Sequence, residues 1–176
     1  MIERKICGIL LIAGIFCLTS VIISLYSIST ADWSVVGLYS IGLFQTCSTS
    51  GCIKNQYGIR NYEANSPPIF IKRFYNAIPL SIVSVIIQLI TCFFCFLTAF
   101  IYLPAKPSIT CYITPFLIFI AFLLQFFTLT EASYGIHLNG RSSSLFEAAL
   151  ILQLIVIILT IIAADRIHNR CNFQYV

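Results

Sequence analysis

Four long apolar runs, separated by more polar segments, dominate the pattern of the chain. They cover residues 6–26, 78–103, 113–130 and 145–164, and none of them contains Lys, Arg or Asp. A bilayer core of about 30 Å takes about 20 apolar helical residues per crossing. A charge at its centre costs at least about 2.5 kcal/mol. The pattern therefore predicts four membrane-spanning helices.

Polar and helix-breaking residues near the ends of these runs refine the prediction. Pro79 is the second residue of its run, so we place it in a first helical turn, where its missing N–H has no partner to lose. The sequence from Ser144 to Glu147 fits a capping box, which predicts Glu147 as an N-terminal helix cap rather than a ligand for a transported ion.

The first run, preceded by Arg4 and Lys5, could instead be a cleaved signal peptide, but it is longer than the usual apolar region of about 7–15 residues.

The segments between the runs differ in length and pattern. The first loop covers residues 27–77, the third covers residues 131–144, and the tail covers residues 165–176. In the first loop, residues 33–47 are rich in strand-forming side chains and residues 53–62 alternate apolar and polar positions. We therefore predict a membrane four-helix bundle, all α in its spans, with a small extracellular β-sheet built mainly from the first loop.

Composition agrees with this fold and excludes several functions. The chain is 59% hydrophobic and 9% charged, whereas soluble domains carry about 25% charged residues. We find no phosphate-binding loop and no Ser/His/Asp grouping, and His137 and His168 lie far apart without partners at ligand spacing. The sequence predicts no metal, no cofactor and no nucleic-acid partner, and it does not indicate an enzyme.

Two cysteine pairs raise one enzymatic alternative. Cys92 and Cys95 in the second run, with Cys47 and Cys52 in the first loop, resemble the layout of the vitamin K epoxide reductase family. Cys92 lies about 15 residues into its run, or about 22 Å deep at 1.5 Å per residue. A short loop cannot easily deliver a thiol to that depth, so we expect Cys92 and Cys95 to act as small apolar side chains.

A sparse signature in the first loop resembles the claudin superfamily. That family has four spans, a first extracellular loop with Trp, Gly-Leu-Trp and two cysteines joined by a disulfide, and an Arg before the second span. The matching positions here are Trp33, Gly42, Leu43, Phe44, Cys47, Cys52 and Arg73. Phe44 replaces the family's second Trp, which fits a divergent, claudin-like member. The resemblance implies a Cys47–Cys52 disulfide, and we expect Trp33 and Phe44 to anchor the sheet at the outer membrane interface.

Charge alone does not orient the chain. Five Lys and Arg residues fall on each side of the membrane, counted over the termini and short loops: Arg4, Lys5, Lys106, Arg166 and Arg170 against Lys54, Arg60, Lys72, Arg73 and Arg141. A disulfide in the first loop needs the oxidising side. We therefore expect both termini in the cytoplasm, and the resemblance implies a location in the plasma membrane at cell–cell junctions.

The resemblance also implies a function and partners. It predicts a junction protein that forms or regulates a paracellular barrier or pore, pairing with itself or related four-span proteins within one membrane and across the gap. The alternative is a claudin-like auxiliary subunit that modulates an ion channel or receptor. Lys54, Arg60 and Glu63 are the candidate pore charges, and their net positive sign predicts a slight preference for anions.

Short features at the predicted cytoplasmic side suggest further contacts. The terminal residues Tyr175 and Val176 are a candidate ligand for PDZ scaffold proteins, which bind a C-terminal carboxylate and the last apolar side chain. Juxtamembrane cysteines are candidates for palmitoylation, which would add to the contact with membrane lipid. These are Cys7, Cys111 and Cys171.

Overall fold

The computed structural model describes residues 2–55, 68–100, 110–134 and 137–173, with side chains for 5–55, 76–100, 112–134 and 137–169. Within these residues the chain forms four long helices: α1 (Ile2–Ser29), α2 (Pro68–Phe100), α3 (Thr110–Ser133) and α4 (Arg141–Phe173). Each contains a stretch of 22 to 29 residues that is long and apolar enough to cross a membrane. The predicted four-helix membrane bundle is confirmed, and the chain is a multi-pass membrane protein.

The helices form a ring in which each packs against two others. Helix α1 contacts α2 and α4, and α3 contacts the same two helices. The interior of the ring contains many small side chains, including Ala13, Cys17, Ala121 and Ala163, all fully buried. Small side chains let the helix backbones approach closely, which matters in a membrane because the hydrophobic effect does not drive helices together in lipid. Large apolar side chains such as Phe93 point outward and suit contact with lipid tails.

A four-stranded antiparallel sheet lies between α1 and α2 along the chain. Its strands are β1 (Ser34–Val36), β2 (Tyr39–Ile41), β3 (Gln45–Ser48) and β4 (Gly51–Lys54), in that spatial order. The turn between β1 and β2 places Gly37 at a φ of 62°, a backbone conformation that glycine adopts without steric cost. The predicted sheet is therefore confirmed, and its third turn falls between the two cysteines.

Two predicted helix boundaries are wrong. Helix α4 begins at Arg141, so Ser144 and Glu147 lie inside it and form no capping box. Helix α2 begins at Pro68, so Pro79 lies in its interior rather than in a first turn. In both cases we placed the start of the helix at the start of the apolar run, whereas the helix begins earlier, among residues that precede that run.

Candidate functional site

Trp33 connects the sheet to the helices. Its side chain is fully buried, its indole Nε1–H donates to the carbonyl of Ser27 at 2.7 Å, and its ring centroid lies 5.0 Å from that of Phe146 on α4. Its backbone N–H donates to the carbonyl of Ile41 at 3.0 Å, which ties it to β2. Trp33 therefore anchors the sheet to the helix ends as expected, but it does so from the core where the sheet meets the bundle and not from a position exposed to the membrane interface.

The segment Gly42 to Phe44 lies between β2 and β3, close to the end of α1. A Cβ atom on Gly42 would come within 2.5 Å of Ala31 Cα, so only glycine fits this approach. Leu43 is fully buried in the same core cluster as Trp33, whereas Phe44 is 38% exposed. The anchoring role of Phe44 at the membrane interface stays a prediction, and Leu43 makes the buried contact.

Asn55 holds this segment against the end of β4, and sequence reasoning missed it. Its Nδ2 group donates to the carbonyls of Gly42 and Leu43 at 2.9 and 3.3 Å, and its backbone N–H donates to the carbonyl of Phe44 at 2.8 Å. Its Oδ1 atom accepts from the Thr46 hydroxyl at 2.8 Å. An asparagine at the end of a strand carries no special signal in a single sequence, because such residues are common in turns.

The segment before α4 continues the sheet at its β1 edge. The side chain of Asn139 accepts from the Val35 N–H at 2.7 Å and donates to the Val35 carbonyl at 3.1 Å, as a neighbouring strand would. Ser34 donates from its hydroxyl to the carbonyl of His137 at 2.8 Å, and the Gly140 N–H donates to the carbonyl of Trp33 at 3.1 Å. The two loops at this end of the bundle thus form one unit. We call this unit, residues 30–55 and 137–142, the sheet end.

Cys47 and Cys52 form a disulfide across β3 and β4, which confirms the pairing that the resemblance implied. The two residues are direct cross-strand partners, and their sulfur atoms are 2.04 Å apart. The bond closes a hairpin whose turn is formed by Thr49 and Ser50. Its chain-entropy contribution is small because the closed loop is short.

Replacing Cys47 and Cys52 together by Ser should lower the free energy of unfolding by about 2 kcal/mol, by the chain-entropy estimate for a loop this short. Thermal unfolding of the purified protein measures the change. A reductant should lower the melting temperature of the wild type to that of the double variant and leave the double variant unchanged. Two free thiols in non-reduced peptides of the wild type would contradict the assignment.

Several predicted site residues fall outside the described parts of the chain. Lys54 is exposed at the end of β4. Arg60, Glu63, Tyr175 and Val176 lie outside the described residues, so the pore charge and the PDZ ligand stay predictions. The same holds for the side chains of Arg73, Cys111 and Cys171, while Cys7 is half-buried and its thiol donates to the carbonyl of Ala99 at 3.2 Å.

The cysteines of α2 have partners within the bundle. The Cys92 thiol donates to the carbonyl of Gly14 on α1 at 3.7 Å, and the Cys17 thiol on α1 donates to the carbonyl of Gln88 on α2 at 3.6 Å. Cys95 is fully buried. No group of three or more His, Cys, Asp or Glu side chains in the described part of the chain could hold a metal ion. Cys92 therefore contacts α1 and Cys95 is buried, while the two loop cysteines are bonded to each other.

Comparison of the chain with protein-family models and with curated proteins gives no match. The claudin resemblance consequently rests on the signature residues alone. It stays a hypothesis about the family.

Proposed function

We propose that this chain is a claudin-like cell–cell junction protein of the plasma membrane, with both termini in the cytoplasm. In this proposal the sheet end is extracellular and contacts copies of the same chain or related four-span proteins. These contacts form or regulate a paracellular barrier or pore. The proposal rests mainly on one observation: the outermost of the described strands, β4, presents the exposed side chain of Ile53.

The sheet extends beyond the helices at β4. The register places Ser34, Ile41, Thr46 and Ile53 in one row across the four strands, so their side chains share a face. Ser34 and Ile41 are buried, whereas Ile53 is 74% exposed. The first half of this face therefore packs on the bundle, and the half at β4 is open.

Strand β4 is also the outer strand of the sheet, and among the described residues it pairs only with β3. An exposed strand edge with an apolar side chain is a ready surface for pairing with another chain. An identical copy can supply the same edge in a two-fold arrangement. The β1–β2 turn adds a second apolar group, since Leu38 is 74% and Tyr39 is 57% exposed. These features support recognition of another protein.

The sheet end is braced on both sides, which favours binding. The disulfide closes the β3–β4 hairpin, and Asn55 and Asn139 fix the neighbouring segments by hydrogen bonds. A surface that is ordered before association loses less conformational entropy on binding. The arrangement therefore supports a recognition surface that does not fold on contact.

Expression in epithelial cells that lack junction strands tests the proposal. The wild type should concentrate in continuous strands at cell contacts and raise transepithelial resistance. Ile53→Lys should abolish most of this strand formation, because a charge cannot enter an apolar contact without its desolvation penalty. Freeze-fracture imaging and resistance are measured on the same monolayers.

Ser50→Lys is the matched control, because it adds the same charge at an exposed turn position in the same hairpin. It should leave strand formation near the wild-type level, and surface labelling should show equal amounts of all three proteins. Diffuse surface protein without strands would contradict the junction function. Co-purification with one channel or receptor in that case would favour the auxiliary-subunit alternative.

A further inference from the structure

Three glutamine side chains meet inside the bundle. Gln88 on α2, Gln125 on α3 and Gln153 on α4 are each fully buried. The Nε2 groups of Gln88 and Gln153 both donate to Gln125 Oε1, the first at 2.7 Å. The Nε2 group of Gln125 donates to the hydroxyl of Ser24 on α1 at 2.9 Å. We call these three side chains the amide cluster, and through Ser24 it connects all four helices.

The amide cluster lies deep in the membrane-spanning part of the protein. Gln88 falls near the middle of the candidate span Asn76–Phe100, and Gln153 falls near the middle of Arg141–Asn169. Bulk water does not solvate polar groups at this depth, so they need partners inside the protein. Polar side chains in such positions are costly unless they are paired, and glutamine amides commonly find that pairing in neighbouring helices.

Two carbonyl oxygens of the amide cluster lack a donor. Gln88 Oε1 and Gln153 Oε1 are buried and have no hydrogen-bond partner among the described residues. Turning all three amides over exchanges nitrogen for oxygen. Gln125 would then donate to both neighbours, and two amide nitrogens would be left unpaired instead. Either arrangement leaves two polar groups that need a further ligand.

The neighbouring side chains are small. Ser20 on α1, Ser84 on α2, Ala121 on α3 and Ala149 on α4 are all fully buried and each lies four residues, or about one helical turn, from a member of the cluster or from Ser24. Small side chains from every helix surround the amides. They bring the helices close together, since the hydroxyls of Ser20 and Ser84 donate to the carbonyls of Ala149 and Ala121, each at 3.0 Å. A ligand that reaches the enclosed amides must therefore be as small as a water molecule.

The chemistry of the surroundings selects a neutral ligand. The buried polar side chains of the described residues are Ser, Thr and Gln, with no carboxylate among them. A cation here would lack a counter-charge in a medium of low dielectric constant. Water is neutral, and because it both donates and accepts it satisfies either orientation of the amides. We propose that the amide cluster is a site for internal water, whose O–H groups donate to Gln88 Oε1 and Gln153 Oε1.

Nuclear magnetic resonance on the full-length protein tests this site. The protein is labelled with ¹⁵N throughout and placed in nanodiscs of deuterated lipid. Magnetisation transfer from water protons should reach the side-chain N–H₂ groups of Gln88 and Gln153 clearly more strongly than the backbone N–H of lipid-facing Ile151. Transfer no stronger than at Ile151 would show a dry cluster and overturn the proposal. This measurement needs no variant.

A pair of variants tests which atoms hold the water. Replacing Gln88 and Gln153 together by Met, which is similar in size and apolar, should abolish water transfer to the Gln125 side chain. Thr160→Val is the control on α4, because Thr160 is buried but already donates to the carbonyls of Val156 and Ile157; it should keep the transfer. Retained transfer in the double variant would overturn the assignment. A shift of the glutamine signals on exchanging K⁺ for Na⁺ would show an ion site and overturn it as well.

Discussion

Trp33→Ala should lower the free energy of unfolding by about 3–5 kcal/mol, the range for removing a large aromatic side chain from a core. The loss has two parts: the cavity beside Phe146, and the 2.7 Å hydrogen bond from the indole to the carbonyl of Ser27. Proteins are stable by only about 5–15 kcal/mol. We therefore expect most of the variant to be retained inside the cell, with the purified remainder unfolding at a much lower temperature.

Phe44→Ala is the control for Trp33→Ala, since both positions belong to the same sequence signature. Phe44 is 38% exposed, so its truncation creates little cavity and should cost less than half as much. Circular dichroism at the helical band and labelling at the cell surface measure both variants. Equal losses for the two variants would mean that Trp33 is not the core residue of the sheet end.

Gly140→Ala should be the second most damaging single change, with a loss of about 3 kcal/mol, at the upper end of typical overpacking costs. A Cβ atom on Gly140 would overlap the carbonyl oxygen of Asp32 and lie 2.7 Å from the carbonyl carbon of Trp33. Both neighbours are backbone atoms, and both are held by hydrogen bonds from Gly140 and Ser142. Relief of the overlap requires that the segment before α4 separate from β1.

The fluorescence of Trp33 reports this separation directly, because it is the only tryptophan in the chain. In Gly140→Ala the emission should shift to longer wavelength as water reaches the indole, and the melting temperature should fall. Gly8→Ala is the matched control: nothing lies within 4 Å of its added Cβ, and alanine favours the helix by about 1 kcal/mol. An unshifted spectrum with a normal melting temperature in Gly140→Ala would contradict the close packing of the two loops.

The start of α4 illustrates why local patterns place helix ends poorly in this protein. The apolar run begins near Leu145, and the capping pattern pointed to Ser144. The helix begins instead at Arg141. In its first turn, the backbone N–H of Ser142 donates to the carbonyl of Asp32 at 2.9 Å, and the Ser142 hydroxyl is hydrogen-bonded to that of Thr30 at 2.6 Å. These partners lie more than a hundred residues away along the chain. The end of the helix is therefore set by contact with the first loop.

The buried glutamines were visible in the sequence but not interpretable there. Each is an isolated amide in a long apolar run, which marks three unusual positions. A single polar residue in a span can face lipid headgroups, a cavity or another helix. Only the packing of α2, α3 and α4 brings the three amides to one point. The sequence shows that three glutamines lie in the spans, but it does not show that their side chains contact one another.

The sequence by itself determined the four spans and the strand-forming first loop, and the disulfide that closes this loop was implied by the family resemblance. Span length follows from bilayer thickness, and the strand and turn pattern is likewise a property of neighbouring residues. Tertiary structure alone decided that Trp33 is buried rather than interfacial, that Asn55 and Asn139 brace the sheet, and that α4 begins at Arg141. These features depend on hydrogen bonds and packing between distant segments. A local sequence pattern does not specify such contacts, because they join segments that only the assembled bundle brings together.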